Sequence, residues 1–169
     1  MTPALEFTSV PQWAVAPRRA DADVTGRYWT VIAFAGGEAA ADEWVTQIRH
    51  RHPDAAARVH GVGDDDAARA ALEADVGTAR VGWRLLIAGP ADACLRLRAR
   101  ALRLGVEHDE ITVASTDVAD KDVHCAHCRT VTHAAVPLGG VLECRGCGRR
   151  LAVHAHVSGR LGAHLGVLA

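Results

Sequence analysis

The sequence predicts an α/β protein: a small parallel-sheet domain followed by a C-terminal four-cysteine zinc ribbon. Two observations carry this expectation. Residues 28–116 alternate apolar, β-branched runs with amphipathic helical stretches, ending on a strand, the pattern of a parallel sheet with helices on its faces. Further on, two Cys-x-x-Cys pairs, Cys125/Cys128 and Cys144/Cys147, stand 15 residues apart. The chain is therefore read as a lead-in at 1–27, an α/β domain at 28–116 and a ribbon with an apolar tail at 122–169.

The lead-in carries Pro3, Pro11, Pro17 and Gly26 and a polar stretch at 18–23, and is expected to be loosely structured, with Phe7 and Trp13 pinning it to its own domain. Residues 28–34 (YWTVIAF) read as a buried strand ended by Gly36-Gly37. A helix is expected at 38–50, where Ala40, Trp44 and Ile48, and Ala41 and Val45, recur at i, i+4, and Pro53 closes it. Residues 58–62 read as a second strand. Asp64, Asp65 and Asp66 then open a helix to about residue 75, as an N-cap with dipole-favoured charges; a metal site is the alternative use of that triplet.

A third strand is expected at 82–88 and, after Gly89-Pro90, a helix at 91–104. Its apolar stripe contains Cys94, Leu95, Leu97, Ala101, Leu102 and Leu104. Arg96, Arg100 and Arg103 fall on the opposite row and read as a solvated face, with an anion or partner surface as the alternative. Cys94 reads as a buried small apolar side chain. Gly105 ends the helix, 111–114 is a fourth strand, and 116–122 is a polar linker. After the last cysteine, Leu151 and Val153 alternate with polar neighbours as a last strand. The Gly-rich tail from residue 156 reads as too short for a further element.

The two cysteine pairs have the spacing of a four-thiolate site. Two cysteines three apart wrap a tight turn around an ion, and two such turns close a tetrahedron. Leu138-Gly139-Gly140 is the expected turn of the hairpin that brings them together, and Gly146 and Gly148 flank the last ligand, where positive φ is often needed. Four thiolates complete zinc's coordination and leave no open position, which points to a structural ion. Iron in the same thiolates, as in a rubredoxin-like electron carrier, is the alternative. The absence of aromatics between Cys125 and Cys147 favours zinc.

Other chemistries find less support. Gly36-Gly37 is followed by Glu38, whose carboxylate occupies the helix start that a pyrophosphate would need. Among the ten histidines, His124, His127 and His133 crowd the first pair and His154, His156 and His164 lie in the tail. None has a partner that makes a believable triad, and a second metal or an external haem ligand from the tail is the alternative use. The formal net charge of the 169 residues is −1, which makes no case for nucleic acid or a membrane surface. The charge is unevenly spread: from Cys125 onward five arginines against Glu143 give +4, leaving −5 for the rest. Arg145, Arg149 and Arg150 would be the contacts of a nucleic-acid module, but no stacking aromatics accompany them. Met1-Thr2-Pro3 lacks a basic leader and no apolar run is long enough to span a bilayer, so a cytoplasmic location is expected, where paired cysteines favour metal over disulfides.

Two resemblances add to this reading. The run Gly89-Pro90-Ala91-Asp92, a Leu/Arg-rich helix, Gly105-Val106 and a short strand resembles the end of the NAD(P)-binding domain of ferredoxin reductases. The turn here is Ala88-Gly89-Pro90, so the cysteine that contacts nicotinamide in that family is missing. The resemblance implies a reductase-type domain that kept its fold and lost its cofactor. At the C-terminus, His124-Cys125-x-x-Cys128, Cys144-x-x-Cys147-Gly148-x-x-Leu151, Val153, His156-Val157-Ser158, Arg160 and Ala163-His164-Leu165-Gly166-Val167 resemble the C-terminal domain of the DmmA-type subunit of dimethylamine monooxygenase, a haem-dependent oxidative N-demethylase. That resemblance implies an accessory subunit of a multi-component, NAD(P)H-dependent oxygenase that converts dimethylamine to methylamine and formaldehyde. It further implies that haem, flavin and an iron–sulfur cluster sit in partner subunits, with no catalytic residue on this chain.

Overall fold

The computed structural model describes residues 8–169, so Phe7 and the six residues before it lie outside the described residues. The strands and helices are β1 (Tyr28–Phe34), α1 (Glu38–Arg51), β2 (Ala57–Val62), α2 (Asp65–Val76), β3 (Trp83–Gly89), α3 (Ala91–Arg103), β4 (Ile111–Ser115), β5 (Asp120–Cys125), β6 (Val131–Ala135), β7 (Val141–Glu143), β8 (Arg150–Ser158) and β9 (Ala163–Leu168).

The first sheet is parallel, in the order β2-β1-β3-β4. The chain steps one way through α1 and the other way through α2 and α3, so right-handed crossovers put α1 on one face and the other two helices on the opposite face. Side-chain alternation along the strands follows this division. Ile32, Phe34, Leu85, Ile87 and Val113 pack against Ala68 and Leu72 of α2 and Cys94, Leu97 and Ala101 of α3. Val31, Ala33, Leu86, Ala88 and Ala114 pack against Ala41, Trp44 and Ile48 of α1. Cys94 has the structural role its apolar setting predicts: burial pushes its thiol well above the ordinary range, and its Sγ–H points at the Gly89 carbonyl at 3.6 Å. The acidic triplet likewise acts at a helix start. Asp64 Oδ1 accepts from the Ala67 N–H at 2.8 Å, while Asp65 and Asp66 pair with Arg96 and Arg69.

At the amino ends of the strands lies a buried polar cluster that no sequence pattern marks. Asp75, at the end of α2, accepts from Thr30 Oγ1 at 2.8 Å and Arg58 Nη1 at 2.7 Å and is bonded to His60 Nε2 at 2.9 Å. Burial alone would push the Asp75 carboxyl up. The hydrogen bonds from His60, Thr30 and Arg58 outweigh it and hold the group below its usual range. Trp83 Nε1 completes the cluster by donating to Thr30 Oγ1 at 3.0 Å.

The lead-in departs from its loose expectation over its described residues. Val10, Ala14 and Ala22 are buried, and Arg18 bridges Ser115 at the β4 edge. Buried indole N–H groups need acceptors, and this segment's carbonyls supply them: Trp44 Nε1 donates to Ala20 O at 2.6 Å and Trp29 Nε1 to Asp23 O at 2.8 Å. Trp13 packs on its own chain, as expected.

The second sheet differs most from expectation. Instead of a simple ribbon hairpin, it is five-stranded and mixed, in the order β6-β5-β9-β8-β7, with β5 and β9 parallel. Strands β6 and β7 lie at opposite edges, so Leu138-Gly139-Gly140 belongs to a crossing between edges and does not turn a hairpin. The tail does form a further element: β9 is the central strand. Gly166 fits there because a Cβ would come within 2.7 Å of Val123 Cγ1. The linker reading also fails at its end, because Lys121 and Asp122 are buried in β5.

The two sheets are tied together by Arg96, which is not part of a solvated face. Its Nη1 donates to Asp92 Oδ2 at 2.9 Å and Asp122 Oδ2 at 2.7 Å, and its Nε to Asp65 Oδ2 at 2.5 Å. His133 Nδ1 lies 2.9 Å from the other oxygen of Asp122. Beside this network, Val10, Ala14, Ala91, Leu95 and Val157 form an apolar seam. Nearby, Arg103 donates to the Arg160 carbonyl.

Two predictions follow from this packing. Arg96→Ala strips the cation from two nearly buried carboxylates, Asp92 and Asp122. It should lower the unfolding free energy in urea by about 3 kcal/mol; a change within measurement error would contradict the role assigned to Arg96. The second concerns His164, which is 1% exposed in β9. Burial, together with Lys121, pushes its imidazole down to about 4 against the weaker opposing pull of the His154 backbone and Asp122, and its Nδ1 has no partner among the described residues. The unfolded chain binds a proton near pH 6.5 that the folded chain refuses until about pH 4, so the stability of the neutral form is complete above 6.5 and lost as pH falls toward 4. Between pH 7 and pH 4 the wild type should lose about 3 kcal/mol more than His164→Leu in denaturant titrations.

Candidate metal centre

Each cysteine pair sits in the turn of an antiparallel hairpin, Cys125/Cys128 between β5 and β6, Cys144/Cys147 between β7 and β8. The two turns repeat the same backbone hydrogen bonds. Arg129 N–H donates to Cys125 O at 2.9 Å and Gly148 N–H to Cys144 O at 2.9 Å. Cys125 N–H donates to Thr130 O and Cys144 N–H to Arg149 O, both at 2.9 Å. The residue after the second cysteine is left-handed in both turns, with φ 65° at Arg129 and 67° at Gly148. Gly148 thus meets the positive-φ requirement, whereas Arg129 adopts it at a steric cost. Gly146 is needed for a different reason: a Cβ there would lie 2.3 Å from Thr130 Oγ1 and 3.2 Å from Cys128 Sγ, where the two turns stack.

The stacking brings all four sulfurs within 4.8 Å of one another. Cys125 and Cys147 Sγ are 3.9 Å apart and Cys128 and Cys144 Sγ are 3.5 Å apart. A tetrahedron of sulfurs about 2.3 Å from a central ion has edges of about 3.8 Å, so the set could hold a metal ion. Cys125 and Cys144 are buried, and Cys128 and Cys147 form the half-exposed rim.

As thiols the four groups are ill-matched. Hydrogen bonds from the Thr130 side chain and backbone hold Cys128 down at about 6. At Cys147 the Arg149 N–H favours the thiolate, but desolvation and the Cys128, Cys144 and Cys125 sulfurs outweigh it and push the thiol up to about 11. A central cation removes this conflict by stabilising all four thiolates at once.

The histidines do not join the set. The converging metal-capable group among the described residues consists of the four cysteines. His127 is exposed at the tip of its turn, and His133 faces Asp122. His154 and His156 are exposed, and His156 Nδ1 lies 2.9 Å from Ser9 Oγ. His164 is interior, which removes it as an external ligand in this fold. At the start of α1, where a pyrophosphate would have to sit, Gly37 precedes the helix without a side-chain cap bond, and Glu38 is exposed in the first turn.

The sequence reading missed a cavity of about 950 Å³ between the second sheet and the lead-in, walled by Val15, Val118, Val136, Leu138 and Val153. Lys121 also lines it and donates to Val118 O at 2.7 Å. No local pattern marks the cavity, because its walls come from segments far apart in the sequence.

Comparison with known proteins bears on this same part of the chain. Residues 122–167 match the family described as dimethylamine monooxygenase subunit DmmA-like, C-terminal domain. The heme-dependent oxidative N-demethylase delta subunit of Ectopseudomonas mendocina (strain ymp) is 42% identical over 91 residues, which cover 54% of this chain and 51% of the relative. The matched region thus spans about half the length of the curated relative. The resemblance drawn from the residues therefore finds its match where the cysteines are: residues 122–167 are similar to the DmmA-like C-terminal domain.

Proposed function

We propose that this chain is an accessory subunit of a multi-component, NAD(P)H-dependent oxidative N-demethylase acting on dimethylamine, and that Cys125, Cys128, Cys144 and Cys147 hold one structural zinc. The observation that carries the reading is the coincidence of the DmmA-like region with a closed set of four converging sulfurs. A four-thiolate zinc has no vacant position for water or substrate, so the ion would act as a cross-link. Its work would be to join the β5–β6 hairpin to the β7–β8 hairpin, which lie on either side of β9 and share no ladder. The partners are then the haem-bearing subunit and the flavin and iron–sulfur reductase subunits of the same assembly. The name of the Ectopseudomonas mendocina relative, a delta subunit, supports membership of such an assembly. No helix among the described residues is long and apolar enough to cross a membrane.

The second reading, an iron-bearing electron carrier, draws on the half-exposed rim at Cys128 and Cys147, which would give electrons a short path to a docked partner. Elemental analysis with a visible spectrum separates the two. About one zinc per chain without visible absorption is expected; iron with thiolate charge-transfer bands would replace the structural reading with the redox one. Cys144→Ser should abolish stoichiometric metal and unfold the second sheet, read by hydrogen exchange, while α1 to α3 keep their protection. Retention of both metal and protection would count against the assigned ligand set.

A further inference from the structure

We propose that Arg129, Arg145, Arg149 and Arg150 form a cationic collar around the rim of the four-cysteine site, and that this collar docks onto an acidic surface of a partner protein. The inference rests on the accessory-subunit reading and names the face that would be used.

All four arginines are exposed. Arg129 follows Cys128 directly and Arg145 follows Cys144, while Arg149 and Arg150 leave the second turn. Because the four sulfurs lie within 4.8 Å, these positions share one end of the second sheet. Their side chains make no ion pair or hydrogen bond among the described residues. Elsewhere Arg19, Arg58, Arg69, Arg84, Arg96 and Arg100 each pair with a carboxylate while other exposed arginines do not, so what sets these four apart is that they stand together at one end of a sheet. The cysteine-bearing region beyond Cys125 contains only one acid, Glu143. Its backbone sits opposite Arg150 in the β7–β8 ladder, but its carboxylate does not pair with that guanidinium.

Four thiolates around a divalent ion carry two negative charges, which four guanidinium groups exceed. The end of the sheet therefore stays positive whichever divalent ion is bound. Exposed guanidinium groups without internal partners cost little to dock, since no existing ion pair must first be broken, and their bidentate geometry suits carboxylates. Nucleic acid is the less favoured occupant. No Phe, Tyr or Trp lies between Cys125 and the last residue given to stack on a base, and the chain as a whole carries −1.

The test uses the full-length chain with its metal and two probes: the haem-bearing subunit purified alone and the reductase subunit purified alone. The variant carries Arg129→Glu, Arg145→Glu, Arg149→Glu and Arg150→Glu together, and a companion carries Gln at the same four positions. Metal content equal to wild type establishes that both fold. The collar predicts that one subunit binds the wild type with an affinity falling steeply from low to high salt. The Gln form should bind about tenfold more weakly, and the Glu form more weakly still. Wild-type binding that the Glu form retains unchanged would overturn the collar and leave the accessory reading intact. Wild type that binds neither subunit would overturn both. Salt-sensitive binding of a short DNA duplex, lost in the Glu form, with no binding to either subunit, would overturn the proposal in favour of a nucleic-acid surface.

Discussion

Four sulfurs gathered within 4.8 Å cannot all be thiolates without a cation among them. Their surroundings already divide them: hydrogen bonds from Thr130 favour charge on Cys128, while desolvation and the neighbouring sulfurs oppose it on Cys147. A metal ion would resolve that conflict and brace the second sheet. Its two hairpins have no ladder in common and meet through β9, through the stacked cysteine turns and through a small apolar cluster. Apolar burial within this sheet centres on a small cluster built on Val123, Val136, Leu151 and Val153, two of whose other members are Cys125 and Cys144, while Val157 is buried against α3. A core of that size contributes little against chain entropy, so a bound ion and the sheet would stabilise each other.

The first sheet depends on different physics. Its helices and strands bury two apolar layers, one on each face; the Asp75 cluster lies at the amino ends of the strands, and Asp92 and Ser115 are buried toward the carboxyl ends. The carboxyl ends, where open sheets of this kind bind ligands, carry an exposed glutamate at the start of α1. What the first sheet offers the second is a flank: α3 presents Arg96 to Asp122 of β5 and Leu95 to Val157 of β8. That arrangement would suit the proposed accessory role, with a sturdy α/β body holding the four-cysteine module in a fixed orientation. The exposed, unpaired arginines then stand at the end of the module.

Much of this was legible from the residues alone. The strand–helix alternation from Tyr28 to Ser115 follows from local apolar periodicity, because each element carries its own buried face. The Cys-x-x-Cys pairs were equally readable, since the tight turn and its ligand geometry are set within a few residues. Asp64 as an N-cap and Cys94 as core also follow from neighbours close in sequence. Tertiary structure alone decided the rest. The Gly-rich tail became a central strand because Gly166 lets it pass between β5 and β8, a fit invisible until those strands are in place. Arg96 left the solvated row because its carboxylate partners Asp65 and Asp122 lie 31 and 26 residues away. His164 became interior for the same reason as the tail that carries it. Periodicity reports which face of an element is apolar; which charges meet, and which strand lies between which, depends on long-range contacts that no local pattern encodes.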